Sequence, residues 1–105
     1  MSFKENINKL HFDLTSKYEV SIEECQSKTG NFVKFHIKEN IKELVVNINK
    51  SSLEKNVFDW TYNSDPLNEK SDVIERTSTL DKFIVDVTDV FEKNRFSSEY
   101  LKKLN

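Results

Sequence analysis

The spacing of apolar residues changes character several times along the chain. Phe3, Ile7, Leu10 and Leu14 recur as one stripe of a 3.6-residue period, with His11 on the same side and Phe12 on the opposite face. Ser2 and Glu5 precede the stripe in capping-box spacing, so a helix is predicted from Ser2 to about Thr15. From Tyr18 the period becomes two, with Tyr18, Val20 and Ile22 alternating against Glu19, Ser21 and Glu23 as in a half-buried strand. Lys28 to Asn31 is the predicted turn, because Gly30, the one glycine of the chain, takes positive φ without steric cost. The return strand then turns Val33, Phe35 and Ile37 inward and Lys34, His36 and Lys38 outward, a basic row facing the acidic row of the first strand.

A two-residue turn at Glu39-Asn40 leads into a third strand over 41–49, with Leu44, Val46 and Ile48 inward and Phe35 set against Leu44. Residues 50–56 form a loop, and 57–79 read as a hairpin with Phe58, Trp60 and Tyr62 on the inner face and an acidic tip. The register expected there places Val46 beside Trp60. In the fifth strand, predicted from Asp72 to Thr77, Ile74 rather than Val73 is taken as inward, which sets Arg76 opposite Trp60 for stacking on the indole.

Ser78 and Asp81 have capping spacing, and Leu80, Phe83, Ile84, Val87, Val90 and Phe91 form the most sustained helical stripe. A final helix is predicted from Ser97 to Leu104, with Glu99 in its first turn and Lys102 and Lys103 in its last, matching the helix dipole. The order α-β-β-β-β-β-α-α describes an α+β fold, a five-stranded antiparallel meander with its helices on one face, as a single domain over residues 1–105.

Composition adds a division of charge. The formal net charge is only −2, but residues 1–58 carry +1, residues 59–92 carry −6 and the tail from Lys93 carries +3. So small a net charge argues against nucleic-acid binding through a global field. One cysteine, Cys25, allows no intramolecular disulfide, and neither a signal-peptide pattern nor a membrane-length apolar run occurs, so a cytoplasmic protein without membrane association is expected. Scarce Gly, Pro, Arg and Ala beside abundant Lys and Asn resemble the bias of an AT-rich genome.

The chain lacks the motifs of common catalysts. A single glycine builds neither a phosphate-cradling loop nor a Gly-x-Ser-x-Gly elbow. Cys25 has no sequence partner that marks it as a nucleophile, His11 reads as a boundary residue, and His36 belongs to the outer sheet face. No metal-ligand spacing is present, the loop acids Asp65, Glu69 and Asp72 depart from the EF-hand pattern, and no cofactor is expected. Glu43, Asp59 and Glu75 are expected on the outer face, where a solvated role outweighs acid–base chemistry.

The informative feature is the acidic run from Asp59 to Glu92. Its expected docking residues are Asp65, Glu69 and Asp72 in the loop, and Asp81, Asp89 and Glu92 around an exposed Val85 on the long helix. The leading expectation is a non-catalytic protein that binds and neutralises a basic protein partner, as immunity proteins do with nuclease toxins. The alternatives are a structural or regulatory module or chaperone acting as a homodimer, and a small enzyme using outer-face carboxylates with His36.

Overall fold

The structure, a computed structural model, describes residues 2–104. Helix α1 (Phe3–Thr15) is followed by β1 (Glu19–Ser27), β2 (Gly30–Glu39), β3 (Lys42–Asn49), a 3-10 segment (Lys50–Glu54), β4 (Val57–Asn63), β5 (Val73–Thr79), α2 (Phe83–Glu92) and α3 (Ser98–Lys103). The strands pair antiparallel in chain order, so the expected α+β meander is what the chain forms. Alternation does the sorting: Val33, Phe35, Ile37, Leu44, Val46, Ile48, Phe58, Trp60 and Tyr62 are all buried, in one core with Leu10 and Leu14 of α1 and Phe83, Val87, Val90 and Phe91 of α2. Phe12, on the far side of α1, is exposed as its spacing implies.

Two registers differ from expectation by two residues. The β2–β3 turn is Asn40-Ile41, with Asn40 at φ 56°, a left-handed conformation that asparagine tolerates better than most residues. Phe35 therefore faces Val46 and Ile37 faces Leu44. Across β3–β4, Val46 faces Tyr62 and Ile48 faces Trp60, because the 3-10 segment, capped by Asn49, takes up part of the expected loop. A shift of two preserves every inward and outward assignment, which is why the core was legible while the pairs were not. Leu53 in that segment is fully buried, and Asn6 of α1 donates its side-chain amide to the Leu53 carbonyl, closing one end of the core.

The other correction concerns Ser78. It is not a helix cap: β5 continues to Thr79, and α2 starts at Phe83 with no side-chain cap. Ser78 is buried, accepts the Trp60 Nε1–H at 2.8 Å and donates to the Asp86 carboxylate. This chain meets the one polar requirement of a buried indole. Arg76 does stand opposite Trp60, but α2 covers that face and the guanidinium lies 3.8 Å from Asp89 instead of stacking on the indole. Substituting Ser78→Ala would strand a buried N–H and is expected to lower unfolding free energy by about 1–3 kcal/mol, measured by urea denaturation followed by Trp60 fluorescence.

Candidate functional site

Which acids stay exposed and unpaired is decided by how the basic tail folds onto the acidic run. Helix α2 ends in paired backbone bonds, Asn94 N–H to Phe91 O and Arg95 N–H to Val90 O, with Asn94 at φ 49° in the position glycine usually takes. That turn sends Arg95 back onto α2, where its Nε donates to Asp89 at 2.8 Å. Lys93 Nζ is 3.1 Å from the same carboxylate, with Arg76 on its third side. Bonds from Lys93 and then Arg95 hold the Asp89 carboxyl below the usual aspartate range.

A carboxyl whose folded pKa is depressed adds stability that is complete above its unfolded value, about 3.9, and disappears as pH falls through the folded one. Removing Asp89 as Asp89→Asn is therefore expected to flatten the acid limb of a stability-against-pH curve below about pH 4. An unchanged limb would show that the three cations do not act on it.

A second acid is taken inward by α3. Asp65 is 2% exposed, accepts the Leu67 N–H at 3.0 Å and receives Lys103 Nζ at 2.9 Å. The last turn of α3 thus anchors the β4–β5 loop, and Ser97 N–H to Ser64 O at 2.8 Å adds a backbone tie. Neither Asp65 nor Asp89 presents a free carboxylate to a partner. Both serve the fold.

The remaining expected residues separate into two regions. Asp81 and Glu92 are exposed on the helical layer, each in one loose surface pair, with Lys9 at 3.2 Å and Lys17 at 3.7 Å. Between them Val85 is 62% exposed, beside Ile84 and Thr88. Glu69 and Asp72 lie at the hairpin tip, exposed, and among the described residues no cation comes within 4.0 Å of either.

The tip continues onto an acidic strip that the loop-and-helix expectation left out of the docking set. Asp59 and Glu75 point to the outer face of β4 and β5, as diagonal neighbours in the register Asp59–Thr77 and Thr61–Glu75. Both are exposed, and among the described residues neither has an ion-pair partner. Thr77 donates to Asp59 Oδ1 at 2.6 Å, which fixes that carboxylate on the surface. Leu67 and Val73, both exposed, supply apolar surface at the same tip. Sequence alternation alone assigns Asp59 and Glu75 outward. What it does not show is that the tail leaves them unpaired.

The other half of the outer face is internally balanced. Glu19 faces Lys38 and Glu23 faces Lys34 across β1–β2, while His36 Nδ1 lies 3.1 Å from Glu43 Oε1. Cys25 Sγ donates to Glu23 at 3.2 Å, and that bond raises the thiol pKa, which suppresses the thiolate that nucleophilic chemistry needs. Among the described residues, no three of His, Cys, Asp and Glu come together as metal ligands, and no helix is long and apolar enough to cross a membrane. Compared with protein-family models, curated proteins and solved structures, the chain matches none.

Proposed function

We propose that this protein is a non-catalytic binding protein that docks a basic protein partner, in the manner of an immunity-type inhibitor of a cationic toxin domain. The observation that carries the reading is the set Asp59, Glu69, Asp72 and Glu75. These are four exposed carboxylates on one hairpin with no cation within 4.0 Å among the described residues, while Lys93 and Arg95 of the basic tail go to Asp89 and Lys103 goes to Asp65. Carboxylates held on a rigid two-stranded support concentrate negative potential, which speeds encounter with a cationic groove and disfavours acidic competitors. Leu67 and Val73 provide the apolar contact that charge alone does not. Val85 with Asp81 and Glu92 forms a separate surface on the helical layer, weaker because its acids already have partners.

The test is an affinity comparison with a partner captured by the intact protein, then purified. Asp59→Asn, Glu69→Gln, Asp72→Asn and Glu75→Gln combined are expected to weaken binding about 10–100-fold at low salt and to flatten its salt dependence. Affinity and salt dependence equal to wild type would reject this surface.

A further inference from the structure

Strand β5 is an edge of the sheet, pairing with β4 on one side and, among the described residues, with no strand on the other. The two ends of its ladder show which backbone groups face the open side. Ser64 N–H donates to Asp72 O at 3.0 Å and Leu80 N–H to Asn56 O at 3.1 Å, both in line with the unbroken β4–β5 register. Bonded and non-bonded pairs alternate in an antiparallel ladder, so Ile74, Arg76 and Ser78 bond β4. Val73, Glu75 and Thr77 therefore turn their N–H and C=O groups to the open edge. All three residues are exposed, and among the described residues no other segment bonds those groups. The free stretch ends at Thr79, whose carbonyl accepts the Lys82 N–H.

We infer that this edge receives an extended basic segment of the partner as an added strand, a deepening that rests on the acidic-hairpin reading above. An open edge templates pairing with another chain, and the charge on this one selects which chain. A segment that exchanges backbone bonds with Val73, Glu75 and Thr77 carries the side chains of its bonding residues on the outer face, level with theirs. A base opposite Glu75 there meets a carboxylate without an ion-pair partner among the described residues, with Asp59 on the next strand. Its intervening residues fall on the inner side beside Ile74 and Arg76, where Arg76 disfavours a further cation. The ligand is thus a strand that alternates basic and uncharged residues. The other edge, β1, lacks this preference, because Glu19 and Glu23 face Lys38 and Lys34, and Glu24 lies 3.5 Å from Lys50. A second copy of the chain fits poorly on β5. In the register of fullest overlap Arg76 would meet Arg76, and every register would join two acidic strips on one face.

The probe is a short capped peptide that alternates lysine and valine, titrated into the full chain and followed by two-dimensional NMR. At saturation, amide exchange at Val73, Glu75 and Thr77 is expected to slow at least about tenfold. N-methylation of the peptide's lysines removes the donors that face β5 and is expected to weaken binding at least about tenfold, whereas N-methylation of its valines, whose donors face solvent, should leave affinity within about twofold. Shifts without exchange protection at those three amides, or equal loss from the two N-methylated forms, would overturn strand addition. If neutralising Asp59, Glu69, Asp72 and Glu75 still abolished such binding, the acidic hairpin would stand without it. Protection along β1 instead would overturn the choice of edge. Protection of β5 that needs no peptide and grows with protein concentration would overturn the choice of occupant in favour of a second copy. Binding indifferent to neutralising all four carboxylates would remove both readings.

Discussion

Phe83→Ala is expected to lower the unfolding free energy by about 3–5 kcal/mol, the range for truncating a fully buried aromatic residue. Its ring is the meeting point of the two layers, with centroids 5.2 Å from Trp60, 5.4 Å from Phe58 and 6.1 Å from Phe35. Two strands, β2 and β4, therefore lose their shared contact with α2 in one step. Because a domain of this size has only about 5–15 kcal/mol in total, the variant should be partly unfolded at 37 °C. Urea denaturation read by Trp60 fluorescence and by circular dichroism measures it. Val85→Ala, two residues along α2 but exposed, serves as the control and should change stability by no more than about 0.5 kcal/mol. A small effect at Phe83 would mean that α2 does not pack on the sheet as described.

Asp65→Lys and Glu69→Lys make the second contrast, four residues apart in one loop. Reversing Asp65 removes the acceptor for Lys103, leaves the Leu67 N–H without its bond and places a like charge beside α3 in a site that is almost fully covered. Breaking such a pair is expected to cost about 3–5 kcal/mol and to release α3 from the loop. Reversing Glu69, which is exposed and has no ion-pair partner among the described residues, should change stability by about 0.5 kcal/mol or less. The same Glu69 change should nevertheless weaken binding of a basic partner, where the two carboxylates exchange roles. Thermal unfolding of both variants by calorimetry checks the pair, and equal destabilisation would contradict the division between fold acids and surface acids.

The strand faces were readable because a period of two needs only the order of residues. Val33, Phe35 and Ile37, or Phe58, Trp60 and Tyr62, sort correctly whatever their partners are. Registers depended on where turns begin, and the conformational tolerance of Asn40 moved one turn by a single residue along the chain. The spacing of Ser78 to Asp81 resembles a cap, but Ser78 belongs to β5. The continuing alternation Ile74, Arg76, Ser78 was the competing signal, and the buried indole decides in its favour. The acidic run was visible, but which acids stay free depends on contacts spanning 38 residues, as for Lys103 and Asp65. No local pattern carries that information. Asp59 and Glu75 were recognised as outward-facing, and only the folded tail shows them to be uncompensated.

Mapping where a cationic chain lands on the folded protein is the most direct test of the central claim, that recognition belongs to the outer face and tip of the β4–β5 hairpin. A hexa-arginine peptide titrated into the intact protein, followed by backbone amide shifts, is expected to perturb residues 59–63 and 69–77. That response should fade toward about 1 M salt, where the screening length is near 3 Å. Perturbations centred instead on Asp81, Val85 and Glu92, or unchanged after neutralising Asp59, Glu69, Asp72 and Glu75, would contradict it.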